Sequence, residues 1–126
     1  MSDASFTPIL YLKDKCPFCL KVRLFLLEAG LLGRFDIREF VPGDENEETI
    51  RSELAPHFEK VTFPTLQVAP GEYINESDAI VARYAAEAGI DPKELTAYRW
   101  YTDGVMQTLF TLFRENAELK KQLEPA

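Results

Sequence analysis

Apolar positions along the chain fall into short runs separated by turn residues, and the spacing switches between strand and helix periods. Residues 8–12 (Pro-Ile-Leu-Tyr-Leu) form a continuous apolar run and read as a buried strand. Between 17 and 32, Phe18, Val22, Phe25 and Ala29 recur at steps of four, three and four, while Lys21, Arg23 and Glu28 lie elsewhere. That spacing predicts a helix, closed by Gly30 and Gly33. Residues 35–41 alternate as a strand does, and Pro42-Gly43-Asp44 is a turn. Residues 46–58 are polar and predict a surface helix, weakly amphipathic through Ile50, Leu54 and Phe58. Residues 65–69 and 72–75 predict a hairpin about Pro70-Gly71-Glu72. Residues 77–88 predict a helix with Ile80, Val81, Tyr84, Ala85 and Ala88 on one side and Gly89 as its stop.

The first two strands flank a helix long enough for a crossover and are therefore expected to be parallel. The hairpin completes a four-stranded mixed sheet in an α/β fold, flanked by helices on both faces. Two units are expected: residues 6–89, and a C-terminal helical extension over 90–126. The extension opens on Asp91-Pro92-Lys93-Glu94, with Asp at the cap and Pro at the first helical position. Leu95, Tyr98, Thr102, Val105, Leu109, Leu112, Leu119 and Leu123 form a stripe with Asn116 as its polar gap. Trp100, Tyr101, Met106, Phe110 and Phe113 widen it. The pattern fits one long helix or two short ones, depending on whether Gly104 interrupts.

Composition narrows the function. At 126 residues one domain is expected and two full-sized ones are excluded. Fourteen Lys and Arg against 21 Asp and Glu leave a charge of -7, which speaks against nucleic acid, since phosphate contacts need clustered cations. No run reaches the roughly 18–20 apolar residues of a membrane span. The first eight residues lack the basic and apolar parts of a secretory leader. Cys16 and Cys19 are the two cysteines, too few for a disulfide scaffold, so a reducing, cytoplasmic setting is expected.

Cys16-Pro17-Phe18-Cys19 follows a strand and the short loop Lys13-Asp14-Lys15, at the start of a helix. Pro17 suits the first turn, where a backbone N–H is unpaired anyway. Cys16 then stands at the cap, facing the positive helix end. Helix N-termini and nearby cations lower a thiol from about 8.5 into roughly the 3.5–7.5 range. Lys13 and Lys15 add charge. Cys19 lies one turn on, within disulfide reach and further inside, so Cys16 would attack and Cys19 resolve. Two blander accounts compete. A zinc site needs about four ligands, and beyond the cysteines the chain offers only His57, so no metal is expected. A chance CxxC is opposed by its strand–loop–helix setting.

Three pieces, Tyr11 to Cys19, Thr62-Phe63-Pro64-Thr65 and Glu76-Ser77-Asp78-Ala79-Ile80, make residues 8–89 resemble the glutaredoxins. More broadly, they resemble the thioredoxin-fold domain that begins glutathione S-transferases. The resemblance implies a thioredoxin-like fold and a glutathione site. Phe63-Pro64 would be cis, turning the Phe63 backbone toward Cys16 to pair with the cysteinyl part of glutathione like an added strand; a trans proline opening a strand is the alternative. Thr62 belongs to the same piece. Ser77 would cap the third helix, whose free N–H groups would hold the γ-glutamyl carboxylate, with Glu76 taking the ammonium. A plain helix cap would look the same. Glu-Ser is the transferase-like version, where glutaredoxins usually carry Cys-Asp. Lys13 would meet the glycine carboxylate. Phe18 stands where the family usually has Tyr, so a phenol hydroxyl is missing.

The resemblance implies a dithiol, glutathione-dependent disulfide oxidoreductase, with glutathione as co-substrate and disulfides or glutathionylated proteins as substrates. Rival readings are a transferase-like glutathione-binding module and a dimer holding a [2Fe–2S] cluster through Cys16 of each chain and two glutathiones. Transferases carry a full helical domain after this one, so a complete electrophile site within one chain is not expected. The broad stripe of the extension would either cover the domain itself or join a partner helix as a homodimer.

Overall fold

Alternate side chains of the first strand, β1 (Ile9–Lys13), leave on opposite faces of a sheet, and both faces are covered. Leu10 and Leu12 enter one apolar cluster and Tyr11 enters the other. The computed structural model describes residues 5–124. Residues 1–4, on which half of the leader reading falls, and 125–126 of the extension lie outside the described residues. β2 (Asp36–Phe40) pairs parallel to β1, β3 (Thr65–Ala69) antiparallel to β1, and β4 (Glu72–Ile74) antiparallel to β3. The strand order is β2-β1-β3-β4, the four-stranded mixed sheet expected.

Helices α1 (Pro17–Glu28) and α3 (Ser77–Ala88) cover the Leu10–Leu12 face through Val22, Phe25, Leu26, Ile80, Val81 and Tyr84. Helix α2 (Glu45–Leu54) covers the Tyr11 face with Ile50 and Leu54. Tyr11 is fully buried, yet its hydroxyl reaches Glu53 Oε1 at 2.9 Å, and Arg38 holds the same carboxylate at 2.9 Å. A buried phenol thus finds its partner at the edge of the cluster.

The structure departs from expectation at several helix ends. α1 stops at Glu28, short of 32. Gly30 takes φ 76°, and the Leu31 N–H closes on the Leu26 carbonyl at 2.8 Å, ending the helix in a left-handed turn. Leu32–Arg34 is a separate 3₁₀ turn. Residues 55–58 leave α2 for another 3₁₀ turn, Ala55–His57, where Pro56 opens the tighter geometry. On α1, Lys21 is buried and Phe18 is exposed, the reverse of the spacing argument. Ala88 is exposed, one turn past the buried part of α3.

Asp91 does cap a turn, accepting the Lys93 N–H at 3.0 Å, but Pro92–Glu94 is a 3₁₀ turn and not the start of the long helix. That helix is continuous over 28 residues: α4 (Thr96–Trp100), a wide π turn (Tyr101–Val105), then α5 (Met106–Leu123). Gly104 lies within the π turn and does not break the helix. The amino end of α4 is capped from α1: the Glu28 carboxylate accepts the Ala97 and Tyr98 N–H groups at 3.0 and 2.8 Å. Tyr98 packs its edge against Phe25, with ring centroids 5.7 Å apart, and Met106 is buried. The first half of the tail therefore covers its own domain, whereas residues 111–124 are all exposed.

Replacing Glu28 with Ala is expected to cost about 1 kcal/mol, the worth of a helix cap. Urea denaturation checks the loss, and amide exchange at Ala97 and Tyr98 should speed up while that of α2 stays unchanged.

Candidate functional site

The loop after β1 turns sharply before the cysteines. Lys15 has φ 64°, a left-handed conformation unusual for a residue with a side chain, and this swings the chain into α1. The Asp14 N–H is tied to the Phe40 carbonyl at 2.9 Å, so the loop is anchored on β2. Cys16 is the N-cap of α1 in extended conformation, with Pro17 at the first helical position. Its sulfur accepts the Cys19 N–H at 3.4 Å, as a capping oxygen would. Cys16 is partly exposed and Cys19 is buried, and both are free thiols.

Electrostatics separate the two. The hydrogen bond from the Cys19 thiol, helped by the Cys19 and Phe18 amides and the charge of Lys13, brings Cys16 down to about 6. Partial burial works against that shift without cancelling it. The same thiol pairing and burial push Cys19 far upward, so it remains protonated. The Lys13 backbone N–H donates to Cys19 Sγ at 3.3 Å and fixes its position. One sulfur is thus an accessible thiolate at neutrality, and its neighbour is a protonated donor.

The Phe63–Pro64 bond is cis, and the Phe63 carbonyl oxygen lies 4.0 Å from Cys16 Sγ. The loop is braced by Thr65, whose buried hydroxyl donates to the Thr62 carbonyl at 2.6 Å. It is braced also by the Phe63 ring, set between Phe40 at 4.8 Å and the Arg51 guanidinium at 5.2 Å. At α3, Glu76 and not Ser77 is the N-cap; Ser77 is the first helical residue, and no side chain closes the cap. Ser77 Oγ instead faces Lys21 Nζ at 3.4 Å, and that ammonium pairs with Asp78. Lys21 escaped the sequence reading. The signal was its place four residues before Phe25, which puts it on the buried face.

A cavity of about 540 Å³ opens beside Cys16. Lys13, Lys15 and the Arg23–Glu39 pair give it polar walls, and Leu20, Val105 and Leu109 give apolar ones. Tyr101 also lines it, its hydroxyl donating to the Pro17 carbonyl at 2.7 Å. Burial and the nearby Cys16 charge raise Tyr101, which keeps that donor protonated. Phe18, Thr62, Phe63, Pro64, Glu76 and Ser77 do not line this cavity. Phe18 instead packs on Phe110 of α5, with centroids 5.3 Å apart. The tail's contribution was missed in the sequence because the stripe specified a covering face and not what it covers. Among the described residues, no three His, Cys, Asp or Glu side chains gather as a metal site. Nor is any described helix long and apolar enough to cross a membrane.

Residues 15–88 match the family model for the glutathione S-transferase N-terminal domain. No curated protein matches the chain. Among solved structures, a possible glutathione S-transferase from Rhodopseudomonas palustris aligns with TM-score 0.52 and 24% identity over 69% of this chain and 42% of that one. A glutathione S-transferase from the Antarctic clam Laternula elliptica aligns with TM-score 0.50 and 24% identity, over 67% of this chain and 36% of its own. The likeness is one of fold, and the chain spans less than half the length of either.

Alkylation of Cys16 is expected to follow a single ionisation near pH 6. Cys19→Ala should move it upward by about one unit, because the main donor to the thiolate is lost; rates measured against pH check both. A depressed thiol also links to stability. Relative to Cys16→Ser, the protein should gain stability from pH 6 up to about 8.5, the unfolded value, and lose that gain as pH falls through 6. Paired denaturation curves across that window test the sign.

Proposed function

The chain belongs to the glutathione S-transferase N-terminal domain family, and from that premise we propose that it is a glutathione-dependent thiol–disulfide oxidoreductase. The observation that carries the reading is the division of labour between an accessible Cys16 thiolate and a buried, protonated Cys19 one helical turn away. Cys16 attacks the glutathione sulfur of a protein–glutathione mixed disulfide. A Cys16–glutathione disulfide forms, and the substrate sulfur leaves as a thiolate and takes a proton. A second glutathione thiolate then attacks the glutathione sulfur of that adduct, releasing oxidised glutathione and restoring Cys16. Alternatively Cys19, after giving up its proton, displaces glutathione and closes a disulfide with Cys16. Each exchange breaks one S–S bond and forms one.

Glutathione enters as co-substrate. The residues present fit it: the Phe63 carbonyl beside Cys16 suits the cysteinyl N–H, in the manner of an added strand. The first turn of α3 has no capping side chain, leaving amides for the γ-glutamyl carboxylate. In this reading Glu76 takes the ammonium, Ser77 supports the carboxylate and Lys13 takes the glycine carboxylate. Thr62 and Pro64 shape the loop, and Phe18 flanks the entrance. Reduced glutathione as donor is consistent with a reducing, cytoplasmic compartment.

A second reading, transfer of glutathione to an electrophile, draws on the cavity whose apolar walls are Leu20, Val105 and Leu109. Turnover of an aryl halide without turnover of disulfides would replace the first reading by this one.

Cys16→Ser is expected to reduce deglutathionylation of a mixed-disulfide substrate at least about 100-fold, as loss of a nucleophile does. Cys19→Ser should retain that activity while losing reduction of protein dithiol substrates. Lys13→Ala should raise KM for glutathione several-fold, with a smaller change in kcat.

A further inference from the structure

The tail carries an apolar stripe that its own domain does not cover. From Val105, the positions Val105, Leu109, Leu112, Asn116, Leu119 and Leu123 follow at steps of four, three, four, three and four. Such alternation keeps one seam along a helix supercoiled on another. Val105 follows the π turn one residue before the buried Met106, so the seam lies about 100° round the helix from the docked face. Leu112, Leu119 and Leu123 are 54, 58 and 83% exposed.

The polar residues say what fits. In heptad lettering Leu109, Asn116 and Leu123 are a positions, and Val105, Leu112 and Leu119 are d positions. A lone Asn at a is self-complementary across a two-stranded, parallel, in-register pair and penalises other registers. Glu115 then falls at g and Lys120 at the following e. In a parallel pair each Glu115 meets Lys120 of the partner, and the match occurs twice by symmetry. We propose that a second copy of this chain packs along this seam, parallel and in register, so that the protein is a dimer through its long helix. The seam begins in the wall of the Cys16 cavity, since Val105 and Leu109 line both, so the partner helix would border the cavity's open side.

Analytical ultracentrifugation of the full chain over a wide concentration range tests this. A monomer–dimer equilibrium is expected, abolished by Leu112→Lys with Leu119→Lys. These side chains are more than half exposed, so the variant should fold, as far-ultraviolet dichroism will confirm. Glu115→Lys and Lys120→Glu should each weaken self-association by roughly two- to tenfold, the range of exposed ion pairs taken twice. Mixing the two single variants should restore pairing, because the heterodimer regains both opposite-charge contacts. A monomer at every concentration, a dimer indifferent to the paired leucine substitutions, or single variants that do not prefer one another would each overturn the proposal.

Discussion

A sulfur atom standing where a helix would normally be capped by oxygen is the constraint around which this molecule is organised. Cys16 Sγ accepts the amide of Cys19 and receives that residue's thiol hydrogen as well. Both donors come from the first turn of α1, so the sulfur gains its stabilisation only while that turn stays wound. Everything nearby serves the turn. The left-handed Lys15 delivers the chain at the right angle, Pro17 fixes the first helical residue, and the Lys13 amide pins Cys19 from β1. A reactive group of this kind follows from the backbone path more than from any single charged neighbour.

The second support comes from far along the chain. α4 is capped by Glu28, roughly 70 residues earlier, and Tyr101 reaches the carbonyl of Pro17, the residue that opens α1. One long helix is thus bound at both ends of α1, and α1 is held along its length. Lys21 joins the same helix to α3 through Ser77 and Asp78. Motion of the tail and reactivity of the thiol are therefore mechanically connected, because they share α1.

What was legible in the sequence was whatever is written locally. β3, the start and end of α3, and the cap position of Cys16 depend on neighbours within a few residues, and their expected bounds hold. The cis bond before Pro64 came from a resemblance of motifs and not from periodicity. The losses are equally physical. α1 ends at Gly30 because a left-handed residue stops a helix even where Leu31 and Leu32 would extend the apolar pattern. Lys21 is buried because its stem packs on the apolar face while its ammonium finds Asp78, a partner on another element. Glu76 takes the cap that Ser77 was expected to hold, and no rule of capping preference foresees a glutamate there. The tail's contribution to the cavity depends on the angle at which it docks, which no stretch of sequence encodes alone.

The π turn at Tyr101–Val105 has a consequence for how this chain tolerates change in length. A wide turn accommodates one residue more than an α-helix would, so residues on its two sides are phased independently against the domain. Deleting a single residue there would restore a regular helix and rotate everything downstream by about 100°. Met106 would swing out and a polar neighbour in, although no contact upstream had altered. The tail is accordingly indifferent to many substitutions on its surface and intolerant of a shift in count at that one place, where arithmetic and not chemistry decides which side faces the thiol.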